Sequence, residues 1–159
     1  MAKTFFTYKT PLGPITITAT ERGICGLTLG AINVPGAQMR SSALTNTAST
    51  QILEYAAGKR RSFDVPLDLE GSDFQVQVWQ AMTEIPFGEI RTSAQIAQAI
   101  GAPDSYRMVG AAVNRNPVVL LVPGHRIVGA TGKPLGTGKS ARNRATLLEF
   151  EKKQLEMTQ

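Results

Sequence analysis

The pattern of apolar residues along this chain turns lastingly helical after Gly71-Ser72, and that change limits the fold more than any other feature. Before it, Thr4-Phe5-Phe6-Thr7-Tyr8 and Ile15-Thr16-Ile17-Thr18-Ala19 are rich in β-branched and aromatic residues, with Pro11-Leu12-Gly13-Pro14 as a turn between them. Glu21-Arg22-Gly23 turns the chain into a third strand, Ile24 to Leu29, so residues 4 to 29 are expected to form a β-meander. Residues 30 to 48 read as a loop. Ser49 or Thr50 is expected to cap a short helix through Ala57 that Gly58 ends, and Arg61 to Leu69 to be extended. From Asp73 the period becomes helical: Ser72 or Asp73 caps, Phe74, Val76, Val78, Trp79 and Met82 form a broad apolar face, and Pro86-Phe87-Gly88 stops it. The expected class is α+β, with a small β-rich subdomain over 1–70 and a helical one over 71–159.

Two further helices follow. Thr92 or Ser93 caps one, with Ile96, Ala97 and Ile100 inward and Gly101 closing it. After Ala102-Pro103-Asp104, Ser105 caps the next, with Met108, Val109, Ala112 and Val113 apolar. Two short helices about a tight Gly-containing turn form a helix-turn-helix signature, the second starting with Tyr106-Arg107. Gly110, Ala111 and Ala112 would let that helix lie close to another surface, and core packing explains them equally well. The last helix is expected from Ala141 to about Lys153, with Leu147, Leu148 and Phe150 inward.

The chain carries a formal charge of +5, and its distribution says more than its total. Between Asp104 and Glu149 the charges are all basic: Arg107, Arg115, Arg126, Lys133, Lys139, Arg142 and Arg144. A segment that long with one sign of charge reads as a phosphate-facing surface. No apolar run has transmembrane length and the first residues lack a signal peptide's apolar stretch, so a cytoplasmic protein with no membrane partner is expected. With one cysteine and one histidine, no disulfide and no metal site of the usual ligand set is expected. Cys25 sits in Gly23-Ile24-Cys25-Gly26-Leu27, where a thiol behaves as a small hydrophobe without a basic neighbour to activate it. Gly138-Lys139-Ser140 echoes a phosphate-binding loop, but position 133 is Lys where that loop needs glycine, and Pro134-Leu135 interrupts the cradle. No cofactor is expected.

The chemistry-bearing stretch is Val122-Pro123-Gly124-His125-Arg126-Ile127-Val128, entered from the apolar run Val118 to Val122, which reads as a short buried strand or core segment. Asn116-Pro117 precedes it, and Leu147-Leu148 with Glu151 follows. Together with Phe74-Gln75, Val78-Trp79, Ile85-Pro86-Phe87-Gly88 and Arg107 with Val109-Gly110, this order of motifs resembles the O6-alkylguanine-DNA alkyltransferases. The resemblance runs from about Asp73 to Glu151, and the strands of residues 4 to 29 fit the family's small, ribonuclease-H-like N-terminal subdomain.

What the resemblance implies is a protein that enters the DNA minor groove with a winged helix-turn-helix. Arg107 enters the base stack and the damaged guanine swings into a pocket. In the family a glutamate holds a histidine that draws the proton from a cysteine, and the thiolate takes the alkyl group. Asn116, His125 and Glu151 keep the supporting positions, but the cysteine's place is held by Gly124. The family's tyrosines fall at Ser93 and Thr137, and its following small residues become Lys139-Ser140. By this resemblance the DNA-contacting residues are Tyr106, Arg107, Thr92, Ser93, Gly110, Ala111, Arg115 and Arg126. The lesion pocket is expected from Val122, Pro123, Gly124, Thr137, Gly138 and Lys139. Three departures at the chemistry favour a monomeric lesion sensor that holds O6-alkylguanine in duplex DNA and marks it for excision-repair proteins. The alternatives are a transferase inactivated by a Cys→Gly change and a plain DNA-binding module.

Overall fold

A computed structural model describes residues 2–158. The chain divides into two compact units: one runs to Glu70 and takes in Pro117–Val119, and the other holds Gly71–Asn116 and the chain from Leu120 on.

In the first unit, β1 (Thr4–Thr10), β2 (Gly13–Ala19) and β3 (Ile24–Leu29) form the expected meander. A two-residue strand β4 (Gln38–Met39) joins parallel to β1, giving the order β3-β2-β1-β4. Gly13 closes the β1–β2 hairpin at φ 93°, a conformation that a residue with a Cβ enters only at a cost. Helix α1 (Ala43–Ala56) packs on the sheet, and Ala48, Ile52 and Tyr55 meet Phe5, Ile15, Ile17, Ile24 and Leu27 in the core. The helix starts well before the expected Ser49 or Thr50. Ser42 and Thr45 form a reciprocal capping box, and a threonine in its third position is a weaker sequence signal than Glu or Gln. Residues 30 to 48 are therefore only partly loop, and Ser49 is buried in mid-helix.

The apolar run Val118 to Val122 does not form one strand. Leu27 donates its N–H to Pro117 O at 2.9 Å and accepts from Val119 N at 3.2 Å, which pairs Val118 alongside β3. Leu120 then takes φ 77°, and the pairing ends there. A left-handed leucine costs about 1–2 kcal/mol, offset here by burial of its side chain to 1% exposure.

The second unit contains α2 (Asp73–Thr83), β5 (Arg91–Thr92), α3 (Ser93–Ala99), α4 (Tyr106–Asn114), β6 (Ile127–Val128) and α5 (Gly138–Met157). Ser72 with Gln75 and Thr92 with Gln95 make capping boxes that start α2 and α3 where the sequence placed them. Strands β5 and β6 pair in parallel. Val78, Trp79, Met82, Ile96, Ala97, Val109, Ala112, Val113, Leu147 and Leu148 form the core, and the Trp79 indole N–H donates to Ala112 O at 2.8 Å.

Two local expectations fail here, and Met108, one of the apolar residues of α4, is 57% exposed. Ser105 makes no side-chain cap, because a 3-10 turn over Pro103–Ser105 leads into α4. Helix α5 begins at Gly138 and runs through Met157, longer at both ends than Ala141 to Lys153. Among the described residues, no helix is long and apolar enough to cross a membrane.

Candidate functional site

Gly124, His125 and Arg126 form a 3-10 turn between Pro123 and β6, and every residue from Leu120 to Val128 is buried. The turn aims two side chains at one carboxylate on α5. His125 Nε2 lies 2.6 Å from Glu151 Oε2, Arg126 Nε donates to Oε1 at 2.9 Å, and Arg126 Nη2 donates to Oε2 at 2.9 Å. The Gly88 N–H adds a fourth bond to Oε1 at 3.1 Å, and Arg126 Nη1 reaches Ile85 O at 2.7 Å. Burial works to raise the Glu151 carboxyl, but the bonds from His125 and Arg126 together outweigh it and hold the group well below the usual carboxylate range. Burial dominates at His125 and lowers its pKa despite Glu151, so the imidazole is neutral.

An ionised carboxylate can only accept, so Nε2 carries the hydrogen and Nδ1 is left with its lone pair. That Nδ1 is buried and makes no hydrogen bond. A neutral imidazole held this way is equipped to accept a proton from a neighbouring group. At the preceding position, Gly124 offers no side chain to supply one. A Cβ built there would meet Asn116 Nδ2 at 3.4 Å, Arg144 Nε at 3.6 Å and Met82 Cε at 3.8 Å, which is ordinary contact. Asn116 Nδ2 donates to Val122 O at 2.7 Å and steadies the approach to the turn.

A cavity of about 480 Å³ opens between α3, α4 and the segment after β6. Thr92, Ser93, Tyr106 and Gly110, expected from the resemblance, line it with Ala94, Asn114, Val128, Gly129, Ala130, Leu135 and Gly136. The expected pocket residues do not. Val122, Pro123 and Gly124 are enclosed by their own turn, where Gly124 N–H bonds Val122 O at 2.8 Å, while Thr137, Gly138 and Lys139 are exposed at the start of α5. The glycine-rich segment contributes through Gly129, Ala130, Leu135 and Gly136 instead.

Among the expected DNA contacts, Arg126 is corrected: it is 6% exposed and committed to Glu151, because that carboxylate needs a cation where it is buried. Arg107 and Ala111 are exposed on α4 and Arg115 at its C-cap, and the Arg107 guanidinium carbon sits 5.9 Å from the centre of the Tyr106 ring. Of the basic run, Arg107, Arg115, Lys133, Lys139 and Arg142 are exposed. Arg144 is half-buried, an engagement that charge spacing alone gave no means of seeing. Cys25, on β3 of the other unit, is half-buried, and burial pushes its thiol up.

Residues 73–153 match the family described as 6-O-methylguanine DNA methyltransferase, DNA binding domain, and residues 4–69 match 6-O-methylguanine DNA methyltransferase, ribonuclease-like domain. A methylated-DNA–protein-cysteine methyltransferase of Methanosarcina barkeri is 38% identical over 92% of this chain and 96% of its own length. One of Mycobacterium tuberculosis is 48% identical over 66% of this chain and 64% of its own. The crystal structure of M. tuberculosis O6-methylguanine methyltransferase superposes with a TM-score of 0.86 at 35% identity, covering 99% of both chains. That of M. tuberculosis OGT in complex with DNA superposes with 0.85 at 38% identity, covering 95% of this chain and 94% of that one. With both family domains matched in order along the sequence, this chain belongs to the 6-O-methylguanine DNA methyltransferase family.

Proposed function

We propose that this chain is a DNA-damage-binding protein that extrudes an O6-alkylated guanine from duplex DNA and holds it without accepting its alkyl group. The observation that carries this reading is Gly124. The proton-accepting pair His125–Glu151 is intact and buried, yet the residue beside it has no nucleophile. The chain's single cysteine is no substitute, since its thiol is held protonated by burial.

Several features support a DNA partner. The M. tuberculosis relative forms a complex with DNA, and here Tyr106, Arg107, Met108 and Ala111 are exposed on α4 with Arg115 at its C-cap. Arg107 at the start of that helix enters the vacated base position, and the cavity lined by Ser93, Gly110 and Gly129 receives the flipped base. Bound as a monomer, the protein forms a standing complex that excision-repair proteins can recognise.

The test is binding of a duplex carrying one O6-methylguanine against the same unmodified duplex, by fluorescence anisotropy at fixed salt. The expected result is a clear preference for the lesion with no methyl group found on the protein. Equal affinities overturn the lesion-holding reading and leave a plain DNA-binding module. One observation favours a second reading, a transferase whose acceptor has been replaced: a Cβ at position 124 meets nothing closer than 3.4 Å. Under it, Gly124→Cys recovers methyl transfer in a single-turnover assay. No transfer by a folded Gly124→Cys protein rejects that reading and assigns the defect to the rest of the site, where Ser93 lines the cavity.

A further inference from the structure

Three residues of α4 in the wall of the cavity, Tyr106, Gly110 and Asn114, stand at intervals of four, so they form one row along the helix. Gly110 leaves the middle of that row open: a Cβ there would meet only Ser93 Oγ within 4 Å, at 3.8 Å. An aromatic ring ends the row on one side and a carboxamide on the other, and the helical rise separates them by about 12 Å. Among the polar side chains of the wall, the hydroxyls of Thr92, Ser93 and Tyr106 can donate or accept, and so select nothing by their sense.

The Asn114 amide differs, because its orientation is fixed from behind. Arg144 Nη1 donates to Asn114 Oδ1 at 2.9 Å and to Leu135 O at 2.7 Å, and Arg144 Nη2 donates to Val113 O at 3.1 Å. A guanidinium can only donate, so it holds the amide oxygen and leaves the NH2 pointing elsewhere. Gly136 closes over this bond: its φ is 96°, and a Cβ there would sit 2.8 Å from Arg144 Nη1 and 3.4 Å from Asn114 Oδ1. Turning the amide over would set its NH2 against the guanidinium, donor against donor. Asn114 is exposed, and among the described residues its Nδ2 has no partner. The wall therefore offers a ligand a side-chain donor of fixed sense at the end of an open slot.

We propose that Asn114 is a specificity-determining residue that reads the extruded base, donating from Nδ2 to a ring nitrogen on its edge, and that Arg144 is the positioning residue that fixes the sense of that bond. This inference deepens the lesion-holding reading above and rests on it. A DNA phosphate oxygen accepts from the same NH2, and the experiment separates the two acceptors.

The full-length protein is titrated with five otherwise identical duplexes: one carrying guanine, one carrying O6-methylguanine, and three whose O6-methylguanine has N1, N3 or N7 replaced by C–H. One of the three replacements is expected to weaken binding about fivefold or more, the scale of a hydrogen bond lost with its donor left unpaired. In Asn114→Ala that ratio falls to about one while the other two ratios stay unchanged, which is the coupling that a direct bond requires. In Arg144→Gln, whose carboxamide accepts as well as donates, the Asn114 amide is free to turn and the ratio shrinks; Arg144→Lys, which can only donate, restores it. Weakening of every duplex by Arg144→Gln with the ratio intact overturns the role given to Arg144. If no replacement weakens binding by the unaltered protein, the whole proposal is overturned, and no variant need fold. A ratio that survives in Asn114→Ala overturns it too, as does equal weakening of all five duplexes by Asn114→Ala, which assigns the amide to a phosphate. These outcomes sink this inference alone. Equal binding of the guanine and O6-methylguanine duplexes by the unaltered protein sinks the reading beneath it.

Discussion

Replacing Glu151 with glutamine changes one oxygen for an amide and leaves the shape of α5 intact, so it isolates the carboxylate charge. Glu151 is fully buried and accepts four hydrogen bonds, from His125, twice from Arg126 and from Gly88. In Glu151→Gln the Arg126 guanidinium stays 6% exposed with no counterion, and the new NH2 faces donors. Removing one partner of a buried pair costs about 3–5 kcal/mol. For a chain of this length that corresponds to a fall in Tm of roughly 6–20 °C. By contrast Glu89→Gln breaks a pair whose side chains are 36% and 53% exposed, and costs under about 1 kcal/mol. Trp79 is the only tryptophan, is 2% exposed and lies in the same unit, so its fluorescence during urea unfolding reports on this region directly. Adding Arg126→Met to Glu151→Gln should recover part of the loss by removing the stranded charge. A loss below about 1 kcal/mol in Glu151→Gln, or no recovery in the double variant, refutes the assignment of Glu151 as the counterion that holds this turn.

Acidification should expose the two buried groups in turn. His125 has a lowered folded pKa, so its contribution is present above the unfolded value near 6.5 and is lost as pH falls below it; urea midpoints measured from pH 8 to 5 in His125→Gln should lack this leg, since no other histidine exists. The Glu151 carboxyl is likewise depressed, so its contribution is complete above about pH 4.3 and declines only below it, a decline that Glu151→Gln abolishes. Gly88→Ala should cost about 1–3 kcal/mol by urea unfolding, because φ there is 79° and a Cβ would sit 2.3 Å from Leu155 Cδ1, whereas Gly124→Cys should unfold within about 1 kcal/mol of the unaltered protein. Arg107→Ala should abolish the preference for an O6-methylguanine duplex while leaving binding to unmodified duplex largely in place; equal weakening of both would make Arg107 a phosphate contact.

The elements whose signals are local were legible in the sequence. The β-branched and aromatic residues of Thr4–Tyr8 and Ile15–Ala19 and the turn at Pro11–Pro14 gave the meander, and Ser72 and Thr92 were among the caps that marked two helix starts, because a strand run or a cap is written within a few residues. The order of motifs around Gly124, His125 and Glu151 likewise pointed to the family. What no local signal contained was the meaning of each charge. Arg126 and Arg144 stand in the same basic run as Arg107 and Arg115, but one is spent on Glu151 from 25 residues away, and the other rests on Val113, Asn114 and Leu135 beside Gly124. The cavity wall was hidden for the same reason, since Ser93, Gly110 and Leu135 become neighbours only when three separate segments pack together. Whether an arginine faces solvent, a carboxylate or an empty space depends on desolvation and on partners distant in sequence, and tertiary packing alone sets both.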